Sequence, residues 1–168
     1  DPESYSVNVP EISTPPRLDG KPDEPVWLKS GQINALTDNN AMVIRKGDTK
    51  TGIYVCRDQN NLYIALVCRE LGADPLAVIE EQRDGKVWAD NCTEIYLSDG
   101  KDPDTYWQVV INSLGTVYDS CYTKENKKGD TSKNLKLECK GHRTSKAWSA
   151  ELSIPLKELD ITNDTKSI

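Results

Sequence analysis

The chain has 168 residues, 36% of them hydrophobic and 29% charged, and a formal net charge of −6. That length suits one domain with one core of ordinary size, and the longest apolar run, Leu62–Cys68, is far too short to span a bilayer. The acidic balance argues against a nucleic-acid partner, since Lys124, Lys127 and Lys128 form only a short basic cluster. His142 is the single histidine, which excludes a multi-histidine metal centre and forces any nucleophile–His dyad through that residue.

In chain order, residues 1–17 read as an extended lead-in closed by Pro15-Pro16. Thr51–Arg57 and Leu62–Arg69 are rich in Val, Ile, Leu and Tyr and flank Asp58-Gln59-Asn60-Asn61, which predicts a hairpin. A turn centred near Asn60 sets Cys56 opposite the region of Tyr63 rather than Cys68. Asp74–Gln82 and Pro155–Leu159 are the segments with helical character, and both are short. Further strands are expected at Thr93–Ser98, Thr105–Asn112, Thr116–Tyr122, Leu135–Gly141 and Ala147–Ile154. In the last of these Trp148, Ala150, Leu152 and Ile154 share one face, and Ser149, Glu151 and Ser153 the other. Short strands separated by frequent turns predict an all-β antiparallel β-sandwich, jelly-roll-like, with one or two short helical turns.

Five cysteines are many for a reduced compartment and odd for a closed disulfide framework. Cys121 and Cys139 lie symmetrically about the polar stretch 123–134 and are the best candidates for a bridge; the alternative is that all five are small buried side chains. The aromatic set is four Trp and seven Tyr with no Phe, so every ring carries a polar handle. The chain opens without a basic segment followed by an apolar one, so any signal peptide has been removed or lies outside this sequence.

Alternation also places side chains of a candidate site. Glu94 and Tyr96 share one face of their strand, and Gln108 and Asn112 share one face of the next. Planar polar groups beside an aromatic ring are what a sugar needs, with hydrogen bonds for its hydroxyls and a flat apolar surface for its C–H face. The same polar residues would serve equally as an inert solvated sheet face. Trp107 alternates with Val109 and reads as buried, yet its flanking loop could turn it toward a ligand. Trp27 reads as a core residue that plugs the end of the sandwich. The carboxylates Glu80, Glu81, Asp84, Asp90 and Glu94 offer pairs for glycoside hydrolysis, but such pairs are abundant in an acidic chain. No nucleophile motif accompanies His142, and the expectation is a protein that is not an enzyme.

Several pieces carry a resemblance. They are Leu18-Asp19-Gly20 through Asp23-Glu24 to Trp27, then Asn61-Leu62-Tyr63, then Trp88-Ala-Asp-Asn-Cys-Thr-Glu94-Ile-Tyr-Leu97, then Gln108 through Asn112, then Trp148 through Glu151 to Ile154-Pro155. In this order they resemble family 9 carbohydrate-binding modules, within the wider DOMON-like β-sandwiches, over most of residues 18–160. The resemblance implies a sugar stacked between two tryptophans and hydrogen-bonded by a carboxylate and amides on one sheet face. Trp88, six residues before Glu94, takes the place of one stacking tryptophan, and Asn112 that of the strand-end asparagine. Val110 stands where that type has an arginine. The other stacking tryptophan follows the final I-P-x-x-x-L strand in that type, so the tail 161–168 is expected to stop short of the family's last strands.

The expected function is therefore a non-catalytic carbohydrate-binding module, secreted or at the cell surface, with Trp88, Glu94, Gln108, Asn112 and Trp107 as sugar-binding candidates. Its partners would be plant-type or microbial polysaccharide ends, together with attached glycoside hydrolase domains of a longer protein. The alternative is a structural or adhesion module that binds no sugar. Members of the family often carry structural calcium, and Asp99, Asp102 and Asp104 could hold it, although a plain solvated turn explains them too. Some DOMON-like domains hold haem through Met and His, which here would be Met42 and His142.

Overall fold

The computed structural model describes residues 6–33, 35–38, 43–46, 51–69 and 80–160. Within them lie ten strands: β1 Gly31–Ile33, β2 Ala35–Asp38, β3 Val43–Lys46, β4 Thr51–Arg57, β5 Asn61–Arg69, β6 Cys92–Leu97, β7 Tyr106–Asn112, β8 Val117–Tyr122, β9 Glu138–Arg143 and β10 Ala147–Pro155. All pair antiparallel, in a five-stranded sheet of order β1-β4-β5-β10-β9, a three-stranded sheet β6-β7-β8 and a two-stranded ribbon β2-β3. The remaining regular pieces are 3-10 turns at Trp27–Lys29, Val87–Ala89 and Leu156–Leu159. Pro155–Leu159 thus shortens to a single turn, and most of Asp74–Gln82 lies outside the described residues.

The β4–β5 hairpin forms where the sequence placed it, and Cys56 pairs with Tyr63. Its turn is held by Asp58, whose carboxylate accepts the amides of Asn60 and Asn61 and the hydroxyl of Tyr63, each at 2.7 Å. The core lies between the two sheets. Leu62, Ile64, Leu66 and Cys68 of β5 and Trp148, Ala150, Leu152 and Ile154 of β10 meet Leu97, Val109, Ile111 and Val117 from the smaller sheet. Each such aliphatic side chain, fully buried, contributes about 1.5–3 kcal/mol.

The opposite face of the larger sheet is also dry, because the segment before β1 is laid across it. Trp27 is buried in a core cluster, on this outer face rather than at the end of the sandwich, where it packs with Cys56, Tyr63 and Ala65. Polar Glu151 is buried there too, and its carboxylate accepts the amides of Asp19 at 3.0 Å and Gly20 at 2.9 Å and the Trp27 indole N–H at 2.9 Å. Burial pushes the Glu151 carboxyl up, against the pull of those three donors. Ser149, the next outward residue of β10, donates to the Gly20 carbonyl. The Asp-Gly and Trp of the lead segment and the Glu of β10 are thus one structural unit.

Close backbone packing fixes a second junction. A Cβ on Gly141 would lie 2.5 Å from the Gly115 nitrogen and 2.6 Å from the Ser113 carbonyl oxygen, so β9 and the β7–β8 turn touch backbone to backbone. Gly115 itself sits at φ +81°, the left-handed region that glycine occupies without cost.

Two expectations are corrected. Cys121 lies on β8 of the smaller sheet and Cys139 on β9 of the larger, so they are not neighbours across a ladder, and none of the five cysteines is in a disulfide. The chain after β8 folds straight back instead, with Asp130 exchanging both backbone hydrogen bonds with Cys121 at 2.8 and 3.2 Å. The strand expected over Leu135–Gly141 starts three residues later, at Glu138. Leu135 cannot join the ladder there because its amide donates to the buried Asp119 carboxylate at 2.6 Å, which Arg83 also grips.

Candidate functional site: the outer face of the smaller sheet

Antiparallel register brings three rows of side chains onto the outer face of β6-β7-β8. Glu94, Val110 and Tyr118 form one row, Tyr96, Gln108 and Ser120 the next, and Tyr106 and Tyr122 a third. Their strand neighbours Leu97, Val109, Ile111 and Val117 point the other way, into the core. Trp88 reaches this face from the Val87–Ala89 turn. Val87 is fully buried and anchors that turn, which rests on β6, β7 and β8, while Trp88 remains 50% exposed. The Glu80 carboxylate ties the approach to the turn by accepting the amides of Gln82 at 2.9 Å and Lys86 at 3.0 Å. The Trp88 ring meets Tyr118 edge to face, with centroids 5.0 Å apart and planes at 78°.

A directional hydrogen-bond chain crosses the face. The Tyr122 hydroxyl donates to Gln108 Oε1 at 3.0 Å. Gln108 Nε2 donates to Glu94 Oε2 at 3.0 Å and to the Tyr96 oxygen at 3.2 Å, and the Tyr96 hydroxyl donates to Glu94 Oε2 at 2.7 Å. Every bond in it runs toward Glu94, and the two it receives both fall on Oε2. Neither of these two bonds uses Oε1, and a carboxylate oxygen acts only as an acceptor. Partial desolvation, the bond to Glu94 and the Glu94 charge push the Tyr96 phenol up to about 12, so it stays a donor across the neutral range.

The candidates therefore divide. Trp88, Glu94 and Gln108 come together on this face. Asn112 stands on the same side of β7 but is buried, and its amide is spent inside the protein. Its Nδ2 donates to the Glu80 carbonyl at 2.8 Å and to Asp90 at 3.0 Å, while Oδ1 accepts the amides of Leu114 and Thr116. It fastens the β7–β8 turn to the 80s loop and has no group left for a ligand. Trp107 faces the other way and packs against the core, opposite Leu97 and Cys121, so it is no part of this surface. Val110 is buried beneath the same face. To Tyr96, which alternation had already set on the face of Glu94, the structure adds Tyr106, Tyr118 and Tyr122. The signal for these three was the spacing of two, Tyr106 before Gln108 and Tyr118, Ser120, Tyr122 along β8, which alternation alone assigns to a face but not to a neighbour.

Asp99, Asp102 and Asp104 do not converge. Asp99 pairs with Lys101 Nζ at 2.8 Å, and Asp102 accepts the Asp104 amide at 3.0 Å and the Thr105 hydroxyl at 2.9 Å. Among the described residues no three His, Cys, Asp or Glu side chains form a group able to hold a metal ion. His142 is on β9 opposite Ser149, and Met42 lies outside the described residues.

The sequence matches no protein-family profile and no curated protein. Solved structures do resemble it. One is a family 9 carbohydrate-binding module from Caldicellulosiruptor kristjanssonii in complex with glucose, with a TM-score of 0.60 and 17% identity over 91% of this chain and 70% of that one. A family 9 module from the same organism in complex with cellotriose has a TM-score of 0.56 and 16% identity over 88% and 65%. A protein of Bacteroides uniformis ATCC 8492, described as carbohydrate-binding, has a TM-score of 0.57 and 14% identity over 77% and 61%. The chain thus spans between 61% and 70% of the length of these three. At such identities the likeness is one of architecture: this chain has the β-sandwich fold of the family 9 carbohydrate-binding modules.

Proposed function

We propose that this chain is a non-catalytic carbohydrate-binding module that takes a neutral sugar on the outer face of β6-β7-β8. What carries the proposal is the presence of Trp88 and Glu94 on one face, a half-exposed indole and a carboxylate that Gln108 and Tyr96 hold through one oxygen. The indole offers its face to the C–H side of a pyranose, and Glu94 Oε1 accepts from sugar hydroxyls. Gln108 and Tyr96 hold that carboxylate in place. Among the described residues none on this face is basic, so an anionic sugar would meet Glu94 with no described cation on the face to offset the repulsion. The fold likeness to sugar-bound modules supports the same assignment. It also favours a place outside the cell, secreted or at its surface, beside glycoside hydrolase domains of a longer polypeptide. A second function, a structural or adhesion module without sugar binding, is favoured by one observation: Trp107 lies on the core side, leaving Trp88 as the tryptophan on this face.

Calorimetric titration with glucose, cellobiose and xylobiose separates the two. Binding in the millimolar to micromolar range, about −4 to −8 kcal/mol, with a loss of at least tenfold in Trp88→Ala and in Glu94→Ala, is the expected result. Absence of heat with every sugar, or a Trp88→Ala protein that binds as tightly as the wild type, points to the structural module.

A further inference from the structure

We infer that the face holds a second aromatic station, formed by Tyr96, Tyr106 and Tyr122, so that its ligand is a glycan of at least two linked rings lying along the strands. The inference rests on the sugar-binding function proposed above and concerns what that site takes. Tyr106 and Tyr122 are cross-strand neighbours stacked at 4.7 Å with planes 9° apart, and Tyr96 leans on Tyr106 at 6.0 Å and 58°. Tyr96 is 52% exposed, the most open of the large side chains on this surface together with Trp88.

The first station, Trp88 on Tyr118, and the second, around Tyr122, lie four residues apart along β8. At the rise of an extended strand that is about 13 Å at the backbone, farther than one pyranose reaches. The ground between is polar and ordered: it is Gln108, bonded to Glu94 at the near end and to Tyr96 and Tyr122 of the second station. Stacking surfaces at two ends with hydrogen-bonding groups between them fit a linear chain of neutral sugars. A single clamped ring would leave the tyrosine end unused. A stacked tyrosine pair also steadies a sheet, and that purely structural role is what the test has to separate.

Affinities for glucose, cellobiose, cellotriose and cellotetraose, and for the matching xylose series, are measured by calorimetry on the wild type and on Tyr106→Leu. Leucine keeps apolar bulk on β7 but removes the flat ring, and circular dichroism with a thermal melt checks that the variant is folded. If it does not fold, Tyr106→His, which keeps a planar ring of smaller area, takes its place. The expected result is a wild-type trisaccharide affinity at least tenfold above that of the monosaccharide, beyond the roughly threefold that counting equivalent rings allows. The variant should cut that ratio at least fivefold. Equal wild-type affinity for one ring and for three would overturn the second station while leaving single-sugar binding intact, as would a ratio that Tyr106→Leu does not alter. Absence of binding to either series overturns the sugar function and the second station with it.

Discussion

Replacing Glu151 with alanine tests the account of the buried lead segment most directly. The substitution removes the acceptor of three hydrogen bonds at 2.9–3.0 Å and leaves the Asp19 and Gly20 amides and the Trp27 indole N–H facing a dry hole. Hydrogen bonds to a charged group contribute about 1.5–3 kcal/mol each. Part of that gain is offset because the carboxylate is itself costly to bury, as its raised pKa shows. A net loss of about 3–5 kcal/mol follows, in the range for breaking one side of a buried charged arrangement. For a domain of this size that lowers Tm by about 6–20 °C. Urea unfolding followed by far-UV circular dichroism measures it. Glu151→Gln keeps the shape and one acceptor oxygen and should lose less, about 1–3 kcal/mol. The pH dependence carries an independent sign. The native carboxyl binds its proton more tightly than the unfolded chain does, so its contribution is complete below the ordinary carboxylate range and is lost as pH rises through the raised value. Glu151→Gln should lack that slope. A Glu151→Ala protein within about 1 kcal/mol of the wild type would refute the idea that this carboxylate holds the segment down.

Gly141→Ala should cost about 1–3 kcal/mol in thermal unfolding, because the new methyl meets the Ser113–Gly115 backbone, which has no side chain to move aside; an unchanged Tm would show that the two backbones can part without loss. Asp58 should dominate part of the acid limb. Burial raises its carboxyl, but the Tyr63 hydroxyl and the amides of Asn60 and Asn61 together pull it below the ordinary value. Its contribution is present above the ordinary carboxylate pKa and lost as pH falls through the lowered one. Asp58→Ala should therefore be less stable at pH 7 by about 1–3 kcal/mol and fall less steeply below pH ~4, and equal acid slopes in urea titrations of the two proteins would count against this.

What the sequence revealed follows from range. Alternation within one strand is a local property, so the two faces of β10, the Cys56–Tyr63 pairing of the hairpin and the shared face of Glu94 and Tyr96 could all be read directly. The meeting of β6, β7 and β8 is not local. Tyr106, Tyr118 and Tyr122 join one surface only because the register sets Tyr118 beside Val110 and Tyr122 beside Tyr106. Asn112 illustrates a different failure. A polar residue at a strand end looks available, but a turn needs its carbonyl and the 80s loop needs its amide, and both demands come from backbone groups that carry no sequence signature. Cys121 and Cys139 misled because symmetry about a polar stretch implies a hairpin, whereas the chain crosses there from one sheet to the other. Leu135 left its expected strand for the same kind of reason, drawn to a buried carboxylate sixteen residues away in sequence.

The position of β5 at the centre of the larger sheet has a consequence for how the molecule is made. One edge of β5 is met at once by β4, but the other is met by β10, some ninety residues later, with Asn61 facing Pro155. Glu151 reaches back farther still, 132 residues to Asp19. Contacts of such separation close large loops before they return anything, which places the chain among slow folders. On the ribosome the hairpin and the lead segment emerge early, with β5's Leu62–Cys68 and its open backbone edge waiting for a partner. Until β10 leaves the exit tunnel, that apolar strand is the part of the chain most in need of protection from other β-strands.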